Sequence, residues 1–156
     1  MNTLQVGDKA PQFSLQNQND ETITLSDYLG KKVLVYFYPK AMTPGCTVQA
    51  QGLRDSKEAL DGLNVEVMGI SPDAVKRLPK FAEKESLNFT LLSDEDHAVA
   101  DAFGVWGLKK FMGKEYDGIH RLSFLVDENG VIEHVFNKFK TKEHHTVVLD
   151  YLADNK

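Results

Sequence analysis

Apolar residues follow two rhythms along this chain: compact runs a few residues long, and stretches where they recur every three or four positions. Val33 to Tyr38 is an unbroken apolar and aromatic run stopped by Pro39, the pattern of a central strand buried on both faces. Phe13-Ser14-Leu15 and Thr22-Ile23-Thr24-Leu25 read as short strands, and the turn-prone Asn17 to Asp20 between them predicts a hairpin. Beyond the central run, Leu53, Ser56, Leu60 and Leu63 share one helical face and predict a helix from about Cys46 to Leu60. Val65 to Ile70 returns to strand character before the turn residues Ser71-Pro72-Asp73.

Strand, helix and strand in that order form a βαβ unit, whose crossover is expected to be right-handed. Pro79 lies among Val75, Leu78, Phe81 and Ala82 and predicts a kinked helix or one that starts late, since proline removes a backbone donor. Ser93 followed by Asp96 has the spacing of a capping box for a short helix through Phe103. The carboxylates of Asp94, Glu95 and Asp96 suit the dipole of such a start. Gly104 to Gly118 reads as irregular. Leu122 to Val126 and Val131 to Phe136 flank Asn129-Gly130, which predicts a tight antiparallel hairpin. A last helix, roughly Thr141 to Ala153, would bury Val148, Tyr151 and Leu152. The order β-α-β-α, then a hairpin, then α, describes an α/β chain with a mixed sheet flanked by helices. It is the order of a thioredoxin-like fold.

No repeat, linker or low-complexity tract divides the 156 residues, so the expectation is a single domain over 1–156, large enough for a core without metal or disulfide staples. A formal charge of -5 leaves no electrostatic footprint for nucleic acid. No apolar stretch has the length to cross a bilayer, and Met1 to Ala10 lacks the basic start and apolar run of a secretory signal. A cytoplasmic chain is expected, which agrees with a lone cysteine that cannot pair within the chain.

That cysteine, Cys46, falls where the central strand gives way to a helix. There its sulfur meets unpaired backbone N–H groups and the positive end of the helix dipole, which favour the reactive thiolate. Thr43 lies three residues earlier, and Pro39 four before that. A hydroxyl at this spacing can turn towards the sulfur, Pro39 would shield the sulfur from bulk water, and Pro44-Gly45 lets backbone wrap a small ligand. A buried structural cysteine accounts for the same residues. The five histidines carry no metal expectation: His144 and His145 are adjacent, so on a helix they point about a hundred degrees apart, and no carboxylate is spaced to complete a site with His134. No cofactor is called for. Phe37 reads as core; Phe111, Met112 and Tyr116 read as a pocket rim, a dimer contact or plain packing; Lys109, Lys110 and Lys114 read as solvated surface.

Pro39-Lys40-Ala41-Met42-Thr43-Pro44-Gly45-Cys46 resembles the peroxiredoxin signature: a proline, three residues, a threonine, two residues and the peroxidatic cysteine. Its setting is similar to the bacterioferritin comigratory protein, or peroxiredoxin Q, subgroup. The resemblance extends through Gly7 to Pro11, Leu34 to Tyr38, Phe89 to Asp96, Gly104 to Gly107 and Gly118 to Arg121. It implies a peroxiredoxin-type thioredoxin-like fold and a thiol peroxidase acting on hydrogen peroxide and organic hydroperoxides through a cysteine sulfenic acid. Cys46, Thr43, Arg121 and Pro39 are the implied catalytic residues. Arg121 matches the family's late-strand arginine and would supply a cation to the thiolate; a surface ion pair at the hairpin edge is its plainer reading. Subgroup members often carry a resolving cysteine five residues after the first, where this chain has Gln51. An external thiol, thioredoxin or glutaredoxin with glutathione, is therefore an implied partner of a monomer or homodimer. The alternative is a peroxide sensor or binding protein that uses the same oxidisable cysteine without turnover.

Overall fold

The computed structural model describes residues 1–155. Nine strands run in chain order as β1 (Ser14–Asn17), β2 (Thr22–Thr24), β3 (Lys32–Phe37), β4 (Val65–Ser71), β5 (Thr90–Ser93), β6 (Trp106–Phe111), β7 (Lys114–Ile119), β8 (Ser123–Val126) and β9 (Ile132–Phe136). The helices are α1 (Pro44–Asp55), α2 (Lys57–Gly62), α3 (Leu78–Lys84), α4 (Ala98–Phe103) and α5 (His144–Asp154).

The unbroken apolar run dictates the layering. Successive side chains of a strand take opposite faces, and in β3 both faces are buried. Leu34 and Tyr36, with Tyr38 just beyond, join a cluster with Ala50 and Leu53 of α1, Phe81 of α3 and Val148 of α5. Val33, Val35 and Phe37 join another with Val99 and Phe103 of α4. The Phe37 ring lies 5.2 Å from Phe103 and 6.1 Å from Phe124, centroid to centroid, at angles that suit their quadrupoles. β3 therefore sits inside a mixed seven-stranded sheet of order β2-β1-β5-β4-β3-β8-β9. β3 and β5 run parallel to β4, whereas β8 lies antiparallel to β3 and β9. The expected N-terminal hairpin is β1–β2, and α3 starts late, with Pro79 in its first turn.

Several elements differ from their sequence expectation. The helix expected from Cys46 to Leu60 is two helices. It begins at Pro44, since proline suits a first helical position. It breaks at Ser56, whose Oγ donates to the Gly52 carbonyl at 2.8 Å and so competes with the backbone ladder. The Ser93 capping box does not form. Ser93 Oγ instead donates to the Asp73 carbonyl at 2.6 Å, and the Asp94 carboxylate accepts from the N–H groups of Val99 and Ala100. Burial pushes the Asp94 carboxyl up, against the pull of those two N–H groups.

β5 went unread because a four-residue buried run has too little pattern to identify. The stretch expected to be irregular is an antiparallel arm, β6–β7, outside the main sheet. It turns at Met112-Gly113, both left-handed with φ of 52° and 79°, the geometry of a tight hairpin turn. Much of the arm faces solvent, so no buried face imposes alternation on its sequence. Between β8 and β9 the expected antiparallel hairpin forms, with Glu128-Asn129 rather than Asn129-Gly130 at the centre of its turn, since Gly130 N–H donates to Asp127 O at 3.1 Å. Here Asp127 N–H donates to Val131 O, the Asp127 carboxylate accepts from Asn129 and Val131, and Gly130 takes φ 81°.

Candidate active site

The end of β3 is a junction by topology. Parallel β4 ends on one side, with Phe37 opposite Ile70. Antiparallel β8 begins on the other, with Tyr36 opposite Ser123 and Phe37 N–H bonded to Leu122 O at 3.0 Å. The chain beyond β3, the loop after β4 and the residues before β8 must therefore meet. Those segments carry Pro39 to Cys46, Asp73 and Arg121.

Cys46 lies in the first turn of α1 and is only 1% exposed. Arg121 Nη2 donates to its sulfur at 3.2 Å, while Nη1 of the same guanidinium donates to Gln49 Oε1 at 3.0 Å. The planar fork thus spans two residues one helical turn apart. Gly45 eases the approach, since a Cβ there would lie 3.1 Å from Arg121 Nη2 and the guanidinium would have to shift by a few tenths of an ångström. Gln49 was not singled out from the sequence, although its i+3 spacing from Cys46 was the available signal. It is fully buried, and its Nε2 has no hydrogen-bond partner.

Thr43 caps α1 in extended backbone geometry, and its carbonyl accepts the helix's first bond, from Thr47 N–H at 2.9 Å. Its hydroxyl does not turn to the sulfur as expected: Oγ1 donates to the Lys40 carbonyl at 2.8 Å. That bond uses the hydrogen and leaves the oxygen's lone pairs. Pro39 follows Tyr38 in the same loop and is half-buried.

Behind the sulfur lies a mostly aromatic floor. Tyr36 and Tyr38 stack at 5.5 Å, and Tyr36 meets His144 at 5.6 Å. Burial pushes the Tyr36 hydroxyl well up, reinforced by Tyr38 and Cys46 and opposed by Arg121. Burial also pushes His144 down to about 3, with His145 and Arg121 adding to it, so the ring is neutral near pH 7 and bonds Ser123 Oγ through Nε2 at 2.7 Å. Lys109, expected on the solvated surface, is half-buried and donates to Ile119 O at 2.8 Å. Its pKa is lowered, first by burial and then by Arg121. Phe111, Met112 and Tyr116 are exposed on the arm, and Phe37 is core.

His144 and His145 are taken up in packing, and among the described residues no three His, Cys, Asp or Glu side chains converge to hold a metal. No helix among them is long and apolar enough to cross a membrane. An arginine-held sulfur in the first turn of a helix can serve as a nucleophile towards a small polar molecule.

The AhpC/TSA family matches residues 6–135. The putative peroxiredoxin bcp of Haemophilus influenzae is 64% identical over 152 residues, covering 97% of this chain and 98% of that one. Peroxiredoxin Bcp of Escherichia coli K12 is 63% identical over 155 residues, 99% of each. Among solved structures, peroxiredoxin Q of Xanthomonas campestris superposes with a TM-score of 0.86 at 32% identity, covering 92% of this chain and 90% of that one. A cysteine-to-serine variant of PrxQ from Xylella fastidiosa gives 0.92 at 28% identity, covering 99% and 98%.

Proposed function

The chain belongs to the AhpC/TSA family, in a one-cysteine form of its peroxiredoxin Bcp/Q branch, and from that premise we propose that Cys46 is the peroxidatic residue of a thiol-recycled peroxidase. Family membership makes the protein an antioxidant peroxidase with peroxide substrates and a thiol reductant. The assignment to Cys46 is carried by the 3.2 Å bond from Arg121 Nη2 to its sulfur.

The reaction begins with the Cys46 thiolate attacking the terminal oxygen of ROOH in line with the O–O bond. That bond breaks, RO⁻ leaves and takes a proton from solvent, and sulfur is oxidised by two electrons to the sulfenic acid. Arg121, the unpaired N–H groups of the first turn of α1 and the Thr43 oxygen receive the peroxide and the charge developing on the leaving oxygen. Pro39 limits access of bulk water. With Gln51 where the subgroup often has a second cysteine, no different thiol exists in this chain or in a copy of it. An external thiol attacks the sulfenic sulfur, releases water and forms a mixed disulfide, and a second thiol frees Cys46. Thioredoxin, or glutaredoxin with glutathione, fits that role.

Dimedone added after one equivalent of peroxide is expected to label Cys46; a chain that gives no adduct would sink the sulfenic step. Steady-state peroxide consumption with each reductant is expected to run for many turnovers and to vanish in Cys46→Ser. A single turnover with both reductants favours the sensor reading, and consumption that survives Cys46→Ser overturns the assignment.

A further inference from the structure

The loop before Cys46 is held in an unusual shape. Met42, between Ala41 and Thr43, takes a left-handed φ of 67°. A residue with a Cβ keeps that conformation only when its surroundings over-determine it. Asp73, by sequence a turn residue after β4, is 7% exposed, and both oxygens of its carboxylate are engaged. Oδ2 accepts from Ala41 N–H at 2.7 Å and from Ser71 Oγ at 2.8 Å, and Oδ1 accepts from Arg77 Nε at 3.0 Å. Arg77 then donates from Nη2 to the Ala41 carbonyl at 3.3 Å. Asp73 and Arg77 thus bracket both polar groups of Ala41, at the midpoint between Pro39 and Thr43.

We propose that Asp73, supported by Arg77, is a positioning residue for peroxide reduction, fixing the Ala41 backbone and through it the Thr43 hydroxyl and the first turn of α1. The proposal rests on the peroxidase reading. An attack in line with the O–O bond needs the peroxide-facing groups held in one orientation, and small misplacements are costly. Asp73 stands beyond the reacting atoms and acts through the loop. Removing its carboxylate leaves Ala41 N–H buried without an acceptor and releases Met42 from its constraint.

The test compares two reactions of pre-reduced Cys46, which reach the same buried sulfur: oxidation by hydrogen peroxide, which needs an oriented O–O bond, and alkylation by iodoacetamide, which needs the thiolate but no O–O bond to orient. Asp73→Ala is expected to slow oxidation roughly a hundredfold while alkylation stays within about threefold of wild type. Asp73→Asn, whose amide oxygen can still accept from Ala41, is expected to retain oxidation within about tenfold of wild type. Should Asp73→Ala fail to fold, Arg77→Met, which opens the half-exposed side of the bracket, is expected to slow oxidation by about tenfold with alkylation again spared. Unchanged oxidation, equal losses in both reactions, or an Asp73→Asn as damaged as Asp73→Ala would each overturn the proposal. A wild-type chain that oxidises no faster than it alkylates would instead fail the peroxidase reading itself, before any variant is made.

Discussion

The two ends of α1 differ in what they hold. At its N-terminal end, Arg121 forks onto Cys46 and Gln49, and Gly45 leaves room for the guanidinium. At its C-terminal end, Gln51 Nε2 donates to the Glu85 carboxylate at 2.8 Å, Arg54 Nη1 to the Glu85 carbonyl at 2.7 Å, and Ser56 closes the helix. One end gathers groups around a sulfur; the other fastens the helix to the end of α3. Gln51, where a resolving thiol would sit in the subgroup, belongs to the fastening. Under the proposed mechanism the helix starts an oxidation at one end and has no thiol at the other to resolve it.

Arg121→Ala carries the largest expected effect in this comparison. Losing a charged donor aimed at the reacting centre is expected to slow peroxide oxidation of Cys46 by about a hundredfold or more. Arg121→Lys should recover only part of the loss, since an ammonium cannot span Cys46 and Gln49 as the fork does. Stopped-flow oxidation with equal peroxide across the three proteins decides it. A loss below about fivefold in Arg121→Ala, against the usual cost of such a donor, would separate the N-terminal cluster from the chemistry.

Gln51→Cys tests the other end by giving it a thiol. Residues five apart in a helix are separated by about 7.5 Å along its axis alone, beyond the Cα spacing a disulfide spans. α1 must therefore unwind for Cys46 to be resolved from position 51. The expected product after one equivalent of peroxide is an intramolecular disulfide, seen as the loss of two hydrogens by mass and as a diminished dimedone adduct. An undiminished adduct would show that this end stays folded after oxidation, whatever thiol it carries.

Much of the first end was legible in the sequence because its residues are local: Pro39, Thr43 and Cys46 share one loop, and only Arg121 had to be brought from elsewhere, through its likeness to the peroxiredoxin pattern. Asp73 reads as a turn former because its bond to Ala41 exists only once β3 and β4 lie side by side. Gln49 looked like an ordinary polar helix position until Arg121 reached it. In the fold, β3 was plain because both of its faces are buried. The β6–β7 arm was not, because exposure leaves its side chains free of the alternation that a core enforces.

The smallest expected effect is also the cleanest separation of the two ends. Gln51→Ala removes one side-chain hydrogen bond at a half-buried position, and Arg54 still holds the Glu85 carbonyl. A net loss of about 0.5–1.5 kcal/mol in unfolding free energy is expected for such a bond, part of it returned by alanine's better helix propensity. Urea unfolding would register this as a lower midpoint with an unchanged slope. Peroxide oxidation of Cys46 in the same protein should stay within about twofold of wild type, since the Gln51 side chain hydrogen-bonds to Glu85 and to neither Arg121 nor the Pro39–Thr43 loop, and effects at independent sites remain separate. If the oxidation rate fell in step with stability, the two ends of α1 would be one cooperative unit, and the fastening at Glu85 would have to be counted among the groups that position the sulfur.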